Sequence, residues 1–124
     1  MNKTIIAILL IWLTTAGRAG ASIEQNQKKD MNMENLNLTE VWDKTFPESD
    51  KVNHSKVTFV NRYGITLAAD LYVPKNAEGK LPAIAVSGPF GAVKEQSSGL
   101  SAQTMAEHGF LTIAFDPSYT GESG

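Results

Sequence analysis

Ser123 is the first residue to weigh for chemistry, because it stands in Thr120-Gly121-Glu122-Ser123-Gly124, near the pattern G-x-S-x-G. That pattern marks a sharp strand-to-helix turn that presents a serine hydroxyl for attack on an acyl carbon. Such a turn sets its serine directly at the end of a buried strand and directly before a helix. Ser123 fails this test, since Pro117 to Glu122 read as a loop between the preceding strand and the serine. The other constellations are thinner. Asp70 and Asp116 fall on different strands and are not read as a carboxylate pair or metal site; Asp116 is expected to accept from backbone N–H groups of the loop that follows it. Gly88 and Gly91 lack the G-x-x-x-x-G-K-[ST] spacing of a phosphate loop. Lys94-Glu95-Gln96 either begins a helix or neighbours a site, and charges at a helix N-terminus ordinarily form a solvated face. The absence of cysteine excludes disulfides and thiolate zinc sites. No metal and no cofactor is implied.

Positioning any such residues falls to a short run of elements. Lys56-Val57-Thr58-Phe59-Val60 is rich in β-branched and aromatic residues, and Asn61-Arg62-Tyr63-Gly64 supplies turn chemistry. From Ile65 to Val73 the chain alternates: Ile65, Leu67, Ala69, Leu71 and Val73 share one face, and Thr66, Ala68, Asp70 and Tyr72 the other. These features predict an antiparallel hairpin closed by Pro74. Pro82 to Val86 is a continuous apolar run, the signature of a strand covered on both faces in a parallel sheet. The glycine-rich loop Ser87-Gly88-Pro89-Phe90-Gly91 then leads to a helix expected from about Lys94 or Glu95 to His108. Ala102, Met105 and Ala106 are expected on one small-residue face, with Gly109 as the left-handed C-terminal cap. Phe110 to Phe115 reads as a second buried strand ending at Asp116, so strand, helix and strand form one crossover connection.

At 124 residues and 42% hydrophobic content, the chain suits one small domain or part of a larger one. A formal charge of −2 with scattered lysines gives no footprint for nucleic acid. Lys3, the apolar run Ile5 to Leu13 and Ala19-Gly20-Ala21 have the pattern of an export signal cut after Ala21, and the run is shorter than the roughly 20 residues of a membrane span. The expected organisation is therefore a signal peptide over 1–21, a flexible or partly helical extension over 22–50 and a folded portion over 51–124. The mature chain would be periplasmic or secreted, with no stable membrane span. Within the extension, Leu38 to Trp42 is expected to form a helical turn that lays Trp42 and Phe46 on a neighbour.

V-T-F-V-N-R-Y-G-I-T-L-A-A-D-L-Y-V-P, the buried strand into S-G-P-F-G-A-V-K-E-Q, and then helix, strand and D-P-S-Y-T-G-E-S-G together resemble the opening of the α/β-hydrolase fold. The resemblance runs from about Val41 to Gly124 and is to the dienelactone-hydrolase-like and X-prolyl-peptidase-like branch in particular. It implies an α/β class, with the N-terminal part of a hydrolase sheet present and the sheet incomplete. It also implies a nucleophile elbow on a later strand, and a triad that runs nucleophile, acid, histidine along the chain. Both histidines, His54 and His108, precede Ser123. His108 reads as a helix C-terminal residue and His54 as part of the polar approach to the first strand, so no catalytic residue is assigned. In the family one oxyanion donor comes from the loop after the third strand. Here Pro89 has no N–H at the usual donor position, which moves the candidates to Phe90 and Gly91; the alternative reading of the loop's glycines is a tight strand-to-helix turn alone. The implied activity of the complete protein is hydrolysis of a small-molecule ester, lactone, amide or similar acyl bond by a Ser or Cys nucleophile. The rival expectation is a non-catalytic secreted binding module whose two buried-type strands are covered by a partner.

Overall fold

The computed structural model describes residues 33–124. The expected signal peptide over 1–21 and the first part of the extension lie outside the described residues. Strand β1 (Val52–Val60) and strand β2 (Thr66–Pro74) pair antiparallel, in register from Val52 opposite Pro74 to Val60 opposite Thr66. Their connection is closed by Asn61. Its N–H donates to Ile65 O at 2.9 Å, and its Oδ1 accepts from Tyr63 and Ile65 N–H groups at 2.9 and 3.1 Å. Gly64 takes the φ of +83° that this turn requires.

Strand β3 (Ala83–Val86), helix α1 (Ser97–Glu107) and strand β4 (Leu111–Phe115) follow. The sheet order is β1-β2-β4-β3, with β2 antiparallel and β3 parallel to β4. The hairpin and the crossover are thus both present. The helix ends as its glycine predicts: Gly109 has φ +96°, its N–H donates to Ala106 O at 3.0 Å, and Phe110 N–H reaches Met105 O at 3.3 Å. This pair of bonds is the Schellman arrangement that satisfies the last helical carbonyls. Among the described residues, no helix is long and apolar enough to cross a membrane.

Three expectations are corrected. β1 begins at Val52, so His54 is a strand residue and not part of an approach to one. α1 begins at Ser97, because Lys94 N–H is taken by Asp116 Oδ1 at 2.7 Å and Gln96 N–H closes a tight turn onto Val93 O. No helical turn forms at Leu38 to Trp42; residues 33–50 are irregular but packed. Phe46 is buried, Trp42 meets it edge-on at 5.7 Å, and Trp42 Nε1 donates to Phe46 O at 2.7 Å.

β3, expected to be covered on both faces, is instead an edge strand with Ala83 and Ala85 exposed. Among the described residues the helix covers one sheet face. Val52, Tyr72 and Ala114 pack there against Ala102 and Ala106 of α1, with Trp42 and Val86 at the margin. Met105 is exposed instead of sharing that face, and Gln103 is buried in its place. The Gln103 amide is satisfied by Pro47 O and by Ser49 N–H, which removes the cost of burying it. Gly99 is dictated by close approach, since a Cβ there would lie 2.2 Å from Lys94 O and 3.0 Å from the Phe46 ring. On the opposite face, Leu71, Ala83, Ala85, Leu111 and Ile113 line an open apolar hollow of about 360 Å³.

Candidate functional site

β3 and β4 are parallel neighbours with Val86 opposite Ala114, so the loops after them leave the same end of the sheet. In open α/β sheets this carboxyl end is where ligands bind. The first loop, 87–96, turns at Pro89 to Ala92, where Ala92 N–H donates to Pro89 O at 3.0 Å and Gly91 adopts φ +80°. The Phe90 side chain is fully exposed. The Phe90 and Gly91 N–H groups have no acceptor among the described residues.

The second loop, 116–124, is built around Asp116, whose carboxylate is wholly buried. It accepts from Glu122 N–H at 3.1 Å, which is the loop-capping role expected of it, and from Lys94 through both N–H (2.7 Å) and Nζ (3.0 Å). Gly121, at φ +56°, passes so close that a Cβ would lie 2.3 Å from Asp116 Oδ2. Ser123 is a structural bridge: its Oγ donates to Asp116 O at 2.9 Å and accepts from Ala68 N–H at 2.9 Å. Gly124 N–H adds a bond to Thr66 O at 2.9 Å, so the loop is stitched to β2. A hydroxyl committed twice, with neither histidine bonded to it, has no base to activate it.

Lys94 is the main surprise. The sequence suggested a solvated charge, but the side chain is 0% exposed and its ammonium contacts three carboxylates: Glu95, Asp116 at 3.0 Å and Glu122 at 2.7 Å. Lys56, on β1, reaches the same Glu122 at 2.7 Å and Asp43 at 3.0 Å. Asp43 also holds Lys44, which continues to Asp70 at 3.2 Å. His54 Nε2–H donates to Asp70 Oδ1 at 2.7 Å, under the edge of Trp42. Charged groups from the extension, three strands' surroundings and both loops thus form one network under the covered face.

The electrostatic consequence is consistent around the network. Burial pushes the Glu122 carboxyl upward, but hydrogen bonds from Lys56, Lys94 and Thr39 N–H outweigh it and bring the pKa down to about 2. Asp43 likewise falls to about 2, burial being outweighed by Lys44 and Lys56. Lys56 and Lys94 are opposed by burial and nevertheless raised by their carboxylate partners. Burial and the nearby Asp70 charge push the Tyr72 hydroxyl far up, so it stays protonated. Carboxylate oxygens of Asp43, Glu95 and Glu122 converge within 4.8 Å. Three ammonium groups, those of Lys44, Lys56 and Lys94, already pair with them, and a divalent cation there would face all three.

The sequence-stated candidates divide accordingly. Phe90 and Gly91 lie at the carboxyl end of the sheet, their amides without an acceptor among the described residues. His108 is far from that use, with Nδ1–H on Thr104 O at 2.7 Å in its own helix. Sequence reasoning missed Asp43, Lys44, Lys56 and the burial of Lys94. One signal was available for part of it: the hairpin register sets Lys56 opposite Asp70 and His54 opposite Tyr72.

These strands, their order and the crossover are the opening of an α/β-hydrolase sheet, here with four strands and one helix. No known family model matches the chain. Over its whole length it is 63% identical to the uncharacterized protein PA2218 of Pseudomonas aeruginosa, and it spans 33% of that protein. It is 45% identical over 75 residues to the uncharacterized protein YcjY of Escherichia coli, an alignment that covers 57% of this chain and 24% of YcjY. The crystal structure of PA2218 superposes with a TM-score of 0.72 at 76% identity, covering 73% of this chain and 29% of that one. Acetyl xylan esterase 1 from a Thermoanaerobacterium species superposes at 0.53 with 19% identity, over 72% of this chain and 26% of the esterase; this likeness concerns the fold. The chain therefore spans about a third, or less, of the proteins it matches.

Proposed function

We propose that the chain is the opening portion of an exported α/β-hydrolase that cleaves an ester, lactone, amide or similar acyl bond of a small molecule, and that its share of the site is the oxyanion loop. The observation that carries this reading is the pair of N–H groups of Phe90 and Gly91 at the carboxyl end of β3, which have no acceptor among the described residues. Acyl transfer needs such donors aimed at the oxygen that turns negative, and one is typically worth about 3 kcal/mol of transition-state stabilisation. The donors act only opposite a nucleophile. Ser123 is not one, and the chain's two histidines are committed elsewhere, so the 124 residues alone are expected to lack triad-dependent turnover.

The experiment uses the complete translation product of the gene, assayed with an activated short-chain ester and a serine- or thiol-directed acylating inhibitor. Turnover that the inhibitor abolishes and Ser123→Ala preserves supports the reading. Turnover abolished by Ser123→Ala, or none at all, sinks it. One observation favours a non-catalytic binding module instead, namely the bare apolar hollow between Leu71 and Ile113. That module would form a stable complex through this face and would lack any inhibitor-labelled residue.

A further inference from the structure

We propose that Lys94 is a positioning residue whose amide and ammonium lock the loop after β3 onto the loop after β4 and so fix the direction of the Phe90 and Gly91 N–H groups. Its catalytic consequence rests on the hydrolase reading; its geometry does not. Lys94 grips Asp116 twice, by backbone N–H on Oδ1 at 2.7 Å and by Nζ on Oδ2 at 3.0 Å. One residue thereby fixes both its backbone and its side chain on a single carboxylate. Glu122 at 2.7 Å adds a hold on the far side of the second loop.

The anchor is itself immobile. Asp116 N–H donates to Ala68 O at 3.0 Å, its own O accepts from Ser123, and Gly124 N–H reaches Thr66 O. The second loop can shift only by breaking bonds to the first residues of β2. Both flanks of the clamp are at closest approach: Gly99 lies against Lys94 O, and Gly121 against the Asp116 carboxylate. On the other side only Ala92 and Val93 separate Lys94 from Gly91, and the Pro89 to Ala92 turn couples the donors to that short link. A displacement of Lys94 is therefore handed to the donors with little chain to absorb it. Replacing Lys94 alone leaves the buried Asp116 carboxylate without its cation and so destabilises the fold as well, which is why the geometric effect is read from kinetics and local exchange rather than from stability. Misplacing reacting groups by about 1 Å typically costs about 10²-fold in rate.

The test compares Lys94→Met, Lys94→Arg and Glu122→Gln in the complete translation product, by ester kinetics and residue-resolved amide hydrogen exchange. Lys94→Met is expected to lower kcat by about 10²-fold with KM within about threefold. Exchange at Phe90 to Ala92 should rise while β4 stays protected. Lys94→Arg, which keeps a cation able to grip Asp116, should recover about tenfold or more of the loss. An unchanged kcat with unchanged loop exchange in Lys94→Met overturns the proposal, and so does faster exchange spread evenly over the sheet. If Lys94→Met does not fold, Glu122→Gln decides by the same two readouts, with a smaller local effect expected and no effect refuting. A wild-type protein without ester turnover defeats the hydrolase reading, and exchange at Phe90 to Ala92 then decides the clamp by itself.

Discussion

Glu122→Gln should destabilise the protein at neutral pH and hardly at all in strong acid. The Glu122 carboxyl drops from its ordinary 4.5 to about 2 in the folded chain. At 1.36 kcal/mol for each tenfold change in proton affinity, this corresponds to roughly 3 kcal/mol of stability. The sign follows from the direction. A folded-state pKa below the unfolded value contributes stability that is fully present above about 4.5 and is lost as pH falls toward 2. Asp43 falls from 3.8 to about 2 and adds to the same window, but it shares Lys56 with Glu122, so the two contributions overlap. The loss for the wild type between pH 5 and pH 2 is therefore put at about 3 kcal/mol rather than the sum of both. The assay is urea unfolding at steps from pH 7 to pH 2 for wild type and Glu122→Gln. The variant should cost about 2–3 kcal/mol at pH 7, with the gap closing steadily below pH 4.5. A gap that stays constant across that window would refute the pairing of Glu122 with the two lysines.

Other outcomes follow from single contacts. Ser123→Ala should cost about 1–2 kcal/mol in thermal or urea unfolding, because Ala68 N–H and Asp116 O lose a shared partner, while ester turnover of the complete protein is untouched. Gly121→Ala should be worse, about 2 kcal/mol or more, since it forces a side chain into a left-handed position and onto the Asp116 carboxylate; a neutral melting temperature would show that the loop is not seated as described. Tyr72→Phe should be neutral or stabilising by up to about 1 kcal/mol, because the buried Tyr72 hydroxyl has no partner among the described residues. Marked destabilisation there would mean that the hydroxyl is bonded.

Much of the backbone was legible because local patterns are short-ranged. Period-two alternation and the Asn61 to Gly64 turn specified the hairpin, and Gly109 marked the helix end; the apolar run of β3 specified a strand but not its setting, since β3 lies at the sheet edge with Ala83 and Ala85 exposed. What failed was whatever depended on distant partners. Alternation divided β2 correctly into two faces, but the Thr66, Ala68, Asp70 and Tyr72 face is the fully buried one. Asp70 Oδ1 and Thr66 Oγ1 are met there by Lys44, His54 and Glu34 N–H from other segments, while Asp70 Oδ2 and the Tyr72 hydroxyl have no partner among the described residues. Lys94 read as solvated for the same reason: nothing near it in sequence announces Asp116 or Glu122, some two dozen residues on. Met105, expected on the small-residue face, is exposed, and Gln103 is buried because Pro47 O and Ser49 N–H satisfy its amide. For the site, the loop was legible and the network that braces it was not.

The choice of ion pairs over apolar packing at the two loops has a cause in the sheet itself. Ala114 of β4 meets Ala102 and Ala106 of α1 in the core, all three with no exposed area, and such small side chains let the helix lie close to the strands. Close packing of this kind leaves no room for large apolar anchors at the strand ends. Loops that must be held there need groups that reach far and fix direction, which is what long lysines and short carboxylates provide. The cost is sensitivity: a buried charge that loses its partner is worth several kcal/mol of destabilisation, whereas a lost methyl at the same place would be felt far less. The geometry at the carboxyl end of the sheet is therefore tied in part to the ionisation of Glu122 and Asp43, while the Ser123 and Gly124 bonds to β2 hold the second loop independently of it.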